Sequence, residues 1–189
     1  IEQVLFSLAN TVDAKDTYTQ GHVERASNMA MTLGHQLALS ASELQALRYG
    51  GALHDIGKIG VPDDIINKRG PLDPEEWNIM KSHPDLGFKI CMPLRRNLKS
   101  ALDVIRYHHE KLDGSGYPDG LKGEQISTVV RIMAVVDIFD ALITGRSYRK
   151  AMPRGKALEI LRNEAEDGKL DQEIVRNLEI LVSSNKIDH

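Results

Sequence analysis

The sequence predicts an all-α domain, and two features of its 189 residues carry this prediction. Apolar residues recur at helical spacing in successive segments, as expected when one face of each helix is buried. No segment shows the strict alternation of apolar and polar residues that is typical of a half-buried strand. Two glycine-rich stretches, at 57–62 and 110–120, interrupt the helical pattern and are expected to form functional loops.

Capping signals predict where three helices begin. The SASE segment at 40–43 has the spacing of a capping box, in which the first and last residues satisfy each other's backbone N–H groups. Asp73 begins a second box, and Pro74 follows at the first helical position, where a missing N–H costs nothing. Ser100 is expected to cap a third helix.

The C-terminal half of the chain predicts three further helices. Residues 129–143 are apolar nearly all round, as expected of a buried helix. Pro153 opens the next helix and Gly168 closes it, following the usual preference for proline at starts and glycine beyond ends. Asp171 caps the last helix. Since no linker or repeat is visible, residues 1–189 are predicted to form a single domain. The first residue is not methionine, so we expect a fragment of a longer regulatory protein.

The composition argues against a nucleic-acid polymer or a membrane as partner. There are 24 basic and 27 acidic residues, giving a formal net charge of -3, so only a local cluster of cations could bind an anionic substrate. The most apolar stretch, at 129–143, is too short and too charged to be inserted in a membrane. The single cysteine excludes an internal disulfide, so we expect a cytoplasmic location.

Histidine provides the candidate metal ligands. Five of the seven histidines occur in distinctive settings: His22, His54, His83, His108 and His109. The pair His54–Asp55 ends an apolar helical run, and its nitrogen and oxygen atoms suit iron, manganese or zinc. Lys58 follows within one turn, where a cation could hold a phosphate. His83 precedes Pro84, which should break a helix. Each feature alone also fits an ordinary histidine, and the His–Asp pair alone fits a solvated helix end.

Two aspartates sharpen the case for a metal site. Asp137 and Asp140 lie in the most apolar helix of the chain. A buried carboxylate without a partner is costly, so each should meet a metal, another cation or a hydrogen-bond donor. A buried salt bridge to Arg131 or Arg146 remains the alternative to a metal.

Together these residues resemble the HD superfamily of metal-dependent phosphohydrolases, and specifically its HD-GYP branch. The segments LHDIGKIGVPD at 53–63 and HHEKLDGSGYP at 108–118 look like the two signatures of that branch. Four further segments match in the same order: TQGH at 19–22, MKSH at 80–83, DIFDAL at 137–142 and RSYR at 146–149. The resemblance implies an HD-type helical bundle with a glycine-rich GYP loop beside a metal site.

The resemblance further implies hydrolysis of cyclic di-GMP, a bacterial second messenger, at a binuclear centre. The first metal would be held by His22, His54, Asp55 and Asp137. The second would be held by His83, His108 and His109, with Asp55 bridging. Two divalent transition metals are implied, with iron or manganese favoured and zinc as the alternative. A hydroxide between them would attack phosphorus and yield linear pGpG, with GMP as the product of a further step.

Other residues have implied roles around this centre. Lys58 would bind and neutralise the scissile phosphate, touching substrate only, and Asp16 would orient it. Asp140, one turn beyond Asp137, would support a metal ligand. Substrate contacts are implied for Gly116, Tyr117, Arg146 and Arg149. The two arginines would act through forked hydrogen bonds to phosphate.

Two alternatives to a cyclic di-GMP phosphodiesterase remain open at this stage. One is a hydrolase of another cyclic dinucleotide, such as cyclic GMP-AMP. The other is a catalytically weak sensor or interaction module, against which the complete ligand set and Lys58 both argue. As partners, the resemblance allows a homodimer and GGDEF-type or other regulatory domains.

Tyr18 leads to an expectation about metal number and product. Some family members bind a third metal through a glutamate four residues before the histidine that matches His22, and here Tyr18 occupies that position. A neutral phenol is a poor replacement for a carboxylate at neutral pH. We therefore expect two metals per chain and release of the linear dinucleotide, with Asp13 or Asp16 as the alternative source of a ligand for a third metal.

Overall fold

The computed structural model describes residues 2–16, 21–145 and 150–184, and the prediction of an all-α fold is confirmed there. Within these ranges the α-helices are α1 (Glu2–Asp13), α2 (His22–Gln36), α3 (Ala41–Leu53), α4 (Asp63–Ile66), α5 (Pro74–Met80), α6 (His83–Cys91), α7 (Arg95–Tyr107), α8 (Thr128–Ile143), α9 (Arg154–Glu166) and α10 (Gln172–Ser183). Short 3-10 helices span Ile56–Gly60, Met92–Leu94 and Gly123–Gln125. No helix in the described ranges is long and apolar enough to cross a bilayer.

Most of the predicted helix starts are confirmed. Ser40 and Asp73 each form the predicted capping box, and the Asp171 carboxylate accepts from two backbone N–H groups of α10. The predicted cap at Ser100 is wrong, because α7 begins five residues earlier and Ser100 lies inside it. The preceding 3-10 helix runs directly into α7, which bends at Leu98 (φ -119°, ψ 20°) instead of starting afresh.

The helices enclose two apolar cores that meet at α3. The larger core surrounds α8 and includes residues of α2, α9 and α10. The smaller core lies between α1, α3, α6 and α7. In α3, Ala46 and Leu47 belong to the larger core, whereas Ala52 and Leu53 belong to the smaller. The C-terminal end of α3, which continues into His54 and Asp55, is therefore anchored in the smaller core.

A close backbone contact brings the 3-10 helix at Ile56–Gly60 against the start of α6. A Cβ atom on Gly57 would overlap the carbonyl oxygen of His83 and the backbone nitrogen of Gly87. Glycine is required here because no side chain fits between the two backbones. The predicted helix break at Pro84 is also confirmed, since α5 ends at Met80 and α6 begins at His83.

Candidate metal centre

Two groups of potential metal ligands lie side by side where α2, α3, α6, α7 and α8 meet. One group consists of His22, His54 and Asp137; the other consists of Asp55, His83, His108 and His109. Within each group the ligand atoms lie within 4.8 Å of one another. The fold thus brings together all seven residues that the sequence nominated, although they span more than 110 positions of the chain.

Helix ends supply most of these side chains. His22 and His83 are the first residues of α2 and α6, whereas His54 and His108 follow directly after the last residues of α3 and α7. Backbone groups at helix ends have no partner within the helix, so they are available to orient side chains. Asp137 differs, since it projects from the middle of the buried helix α8.

Backbone carbonyl groups fix the ring orientation of three histidines. The Nδ1 atoms of His54, His83 and His108 donate to the carbonyl oxygen three residues earlier, at 2.8, 2.8 and 3.0 Å. A carbonyl oxygen only accepts, so each Nδ1 carries a proton and each Nε2 faces the centre, where it can bind a metal ion once it is deprotonated. Hydrogen bonds of this kind are what orient metal-binding histidines.

The fourth ring, that of His22, is held by a buried carboxylate. Its Nδ1 lies 2.7 Å from Oδ2 of Asp140, which is fully buried. Arg25 completes the support, because its Nε and Nη2 atoms donate to the two oxygens of Asp140 at 2.9 and 3.1 Å. The alternative of a salt bridge from Asp140 to Arg131 is wrong, since Arg131 pairs with Asp171 at 3.1 Å.

Sequence reasoning missed Arg25, although a signal was present. Arg25 lies three residues after His22, on the same face of α2. A basic residue one turn from a metal-binding histidine is therefore a candidate partner for the carboxylate that supports it.

Pairs of facing nitrogens show that the cluster fits bound cations. The Nε2 atoms of His22 and His54 are 3.2 Å apart, and those of His83 and His108 are 3.3 Å apart. Two lone pairs at this separation repel unless a proton or a metal ion lies beside them. Imidazole and carboxylate ligands suit iron, manganese and zinc, so the residues fit the metals that the sequence implied.

Asp55 joins the two groups into one cluster. Its Oδ1 atom lies 3.2 Å from Nε2 of His83 and 3.9 Å from Nε2 of His108. Its Oδ2 atom lies 3.5 Å from Nε2 of His54, in the other group. A carboxylate with one oxygen directed at each group has the arrangement expected of a bridging ligand.

The charges of the cluster favour a cation. Burial lowers the pKa of His54, but the carboxylates of Asp55 and Asp137 more than offset this and raise it to about 9. Burial would raise the pKa of Asp55, yet Lys58 and His54 hold it well below its usual range. Burial, reinforced by His83, lowers the pKa of His109 to about 3, so this ring is neutral at pH 7. Carboxylates that attract a proton to His54 also attract a metal ion, whose binding releases that proton.

Lys58 lies at the edge of the cluster between two carboxylates. Its Nζ atom is 2.6 Å from Oδ2 of Asp55 and 3.6 Å from Oδ2 of Asp16. All three side chains are largely buried. The expectation that Lys58 would touch substrate only is wrong, because it also contacts a potential metal ligand. Asp16 does lie where it can orient the ammonium group.

A buried glutamate organises the glycine-rich loop. The carboxylate of Glu110 accepts from the backbone N–H groups of Asp119, Gly120 and Leu121 at 2.7, 3.1 and 3.0 Å. Glu110 is only 2% exposed, so these three bonds replace its hydration. No sequence pattern signals this role, because Glu110 binds backbone N–H groups that lie nine to eleven residues further along the chain.

The same loop carries Gly116 and Tyr117. A Cβ atom on Gly116 would overlap the backbone of Glu110 and Lys111, so packing alone requires glycine there. The ring of Tyr117 lies 4.8 Å from that of His109, with 31° between the ring planes. The loop thus places an aromatic side chain directly beside the second ligand group. Three nominated residues, Tyr18, Arg146 and Arg149, lie outside the described residues.

Comparison with known proteins agrees with this geometry. Residues 7–174 match the family model described as HD domain. The cyclic di-GMP phosphodiesterase response regulator RpfG of Xanthomonas campestris is 40% identical over 161 residues, which cover 84% of this chain and 42% of that protein. The 3'3'-cGAMP-specific phosphodiesterase 3 of Vibrio cholerae is 42% identical over 161 residues, which cover 85% of this chain and 35% of that protein. The chain spans less than half the length of these relatives.

Solved structures share the fold. A cyclic GMP-AMP specific phosphodiesterase of V. cholerae, V-cGAP3, superposes with a TM-score of 0.76 at 21% identity, covering 99% of this chain and 50% of that chain. Bd1817, an HD-GYP-type protein of Bdellovibrio bacteriovorus, superposes with a TM-score of 0.72 at 22% identity, covering 86% of this chain and 51% of that chain.

Proposed function

Given that the chain belongs to the HD domain family, in its HD-GYP branch, we propose that it is a metal-dependent phosphodiesterase of cyclic di-GMP. The observation that supports this most directly is the position of Asp55 between two ligand groups, with Lys58 2.6 Å from the same carboxylate. Metal ligands and a cation at one edge are what hydrolysis of a phosphodiester requires.

Two metal ions would be held by the two groups. His22, His54 and Asp137 would hold the first; His83, His108 and His109 would hold the second, with Asp55 shared. When bound, such ions act as Lewis acids that acidify water and stabilise negative charge on a phosphoryl group. Tyr18 offers no carboxylate for a third ion, so two per chain are proposed, with linear pGpG as the main product and GMP as a later one.

Lys58 would act on the substrate phosphate. Its ammonium group would neutralise charge that develops on the phosphoryl oxygens, and Nζ is a source of a proton for the leaving oxygen. Asp55 and Asp16 pair with this lysine and direct it along the edge of the cluster. Arg146 and Arg149 are proposed to bind the phosphates, and Gly116 and Tyr117 to border the substrate.

A second candidate substrate is 3'3'-cGAMP. The relative that is named for this substrate is as similar to the chain as the relative that is named for cyclic di-GMP. Both molecules present the same phosphodiester to the metal centre and differ in one base. A sensor with little activity is less well supported, since the seven ligands and Lys58 are all present. A second copy of the chain and GGDEF-type or other regulatory domains are proposed as protein partners.

The proposal is tested by separating metal binding from turnover. Purified protein would be stripped of metal, reloaded with iron, manganese or zinc, and analysed for metal per chain. Each form would then be assayed with cyclic di-GMP and 3'3'-cGAMP, and the products separated by chromatography. We expect two metals per chain and metal-dependent formation of a linear dinucleotide. Protein that holds two metals and cleaves neither substrate would overturn the proposal.

A further inference from the structure

Helix α5 exposes a tryptophan close to the metal centre. None of the seven residues of α5 is buried, yet the helix carries Trp77, the single tryptophan of the chain. Trp77 is 45% exposed. A lone exposed apolar side chain is common on protein surfaces, so the exposure by itself decides nothing.

Ring contacts connect Trp77 to the candidate metal centre through one intervening side chain. Its ring lies edge-on to that of Tyr117, with centroids 6.2 Å apart and 78° between the planes. Tyr117 in turn lies 4.8 Å from His109, a candidate metal ligand. Three aromatic rings therefore lead from the metal centre to the surface, and the outermost is the largest.

The middle ring is held in place by the rest of the loop. Glu110 binds three backbone N–H groups of the loop, and Gly116 packs directly on the backbone of Glu110. Arg106 adds a second anchor through Asp119, at 2.9 Å. A surface that is already ordered loses less entropy when a ligand binds to it.

We propose that Trp77 and Tyr117 form a stacking site for a purine base of the substrate. This inference rests on the proposed function, since the cyclic dinucleotide must place a phosphate beside Lys58 and the ligand groups. The base attached to that nucleotide then needs a surface close to the metal centre but outside it. Aromatic side chains stack on either purine because each presents a π face, so this site binds the base without choosing between guanine and adenine.

The first test compares KM with kcat. Trp77→Ala should raise KM for cyclic di-GMP roughly 5- to 150-fold, which corresponds to the ~1–3 kcal/mol typical of one stacked base. Its kcat should stay within about twofold of wild type, because Trp77 touches no reacting atom. Trp77→Phe should recover most of the loss. Ile180→Ala, at an exposed apolar residue of α10, is the matched control and should change neither constant.

The second test uses the fluorescence of the single tryptophan. Metal-loaded protein would be titrated with GMP and with ribose 5-phosphate, which carries the same sugar and phosphate but no base. Stacking predicts that GMP quenches the emission of Trp77 and that ribose 5-phosphate does not. Equal quenching by both ligands would overturn the inference.

These outcomes separate the two proposals. Hydrolysis by the wild type with an unchanged KM in Trp77→Ala would refute stacking and leave the proposed function intact. A wild type that cleaves no cyclic dinucleotide would refute the proposed function, and the comparison of GMP with ribose 5-phosphate would still decide on stacking.

Discussion

The two ligand groups of the metal centre are supported in different ways. In the first, a backbone carbonyl orients His54. His22, however, depends on the side chain of Asp140, which is itself held by Arg25. In the second, His83 and His108 are oriented by backbone carbonyl groups. The first group is fully buried, whereas the second has two partly exposed members, Asp55 and His109.

This difference leads us to expect that the first group depends on the core and that the second group faces the substrate. A buried charge is costly unless it is paired, so the pair of Asp140 and Arg25 ties the first group to the stability of the core. Backbone carbonyls need no such partner, so the second group can lie open beside the glycine-rich loop. We therefore expect substitutions near the first group to affect metal binding and folding together, and those near the second to affect substrate handling.

The largest effect is expected at Asp55, which belongs to the second group and also lies against His54 of the first. Asp55→Ala should remove metal and lower activity by roughly a thousandfold, beyond the 10- to 100-fold typical of residues that only orient a ligand. Metal analysis and a turnover assay would measure this, and far-ultraviolet circular dichroism should show that helix content is unchanged. Wild-type metal content in this variant would show that the two groups bind independently of Asp55.

A smaller effect, confined to catalysis, is expected at Lys58. Lys58→Ala should lower kcat about a hundredfold, as expected for loss of one electrostatic stabiliser. Bound metal should be retained, because removal of a cation 2.6 Å from Asp55 leaves that carboxylate more attractive to a metal ion. Lys58→Arg is the control variant, because it keeps the positive charge at this position. Loss of metal together with activity would mean that Lys58 maintains the cluster instead of acting on substrate.

The candidate metal ligands were easier to predict from sequence than the residues that support them. Histidine beside aspartate, and aspartate inside the apolar helix α8, are unusual enough to attract attention in one dimension. Capping boxes at Ser40 and Asp73 were equally clear, because they are local patterns. The start of α7 was not predicted, since it depends on how the preceding 3-10 helix continues into it.

Supporting contacts depend on the tertiary fold. Arg25 and Asp140 are separated by 115 positions, and only the packing of α2 on α8 makes them partners. Glu110 bonds to backbone groups that have no sequence signature. Lys58 was expected to touch substrate only, because nothing in the sequence shows that Oδ2 of Asp55 turns towards it.

Asp140 tests the coupling of the first group to the core. Asp140→Asn should weaken metal binding about 10- to 100-fold, because His22 loses its charged partner. It should also lower the free energy of unfolding by about 2–3 kcal/mol, since the bonds from Arg25 lose their charged acceptor. Metal titration and thermal unfolding would measure both. Asp171→Asn weakens another arginine–aspartate pair, with Arg131, and keeps a capping side chain, so metal binding should be unchanged. Metal affinity equal in both variants would contradict the coupling.

The smallest effect is expected at Glu110, behind the second group. In Glu110→Gln one oxygen remains to accept, and the new amide NH₂ faces a backbone N–H, so the loop loses at least one of its three anchors. We expect faster amide hydrogen exchange at Asp119–Leu121 and about 1–3 kcal/mol lower stability. Metal content should not change, because the carbonyl groups that orient His83 and His108 are untouched. KM should rise a few-fold, since Tyr117 is carried by the same loop. Glu166→Gln, at an exposed position of α9, is the control. If Glu110→Gln instead lost metal, the second group would depend on a buried side chain just as the first does, and the distinction between them would fail.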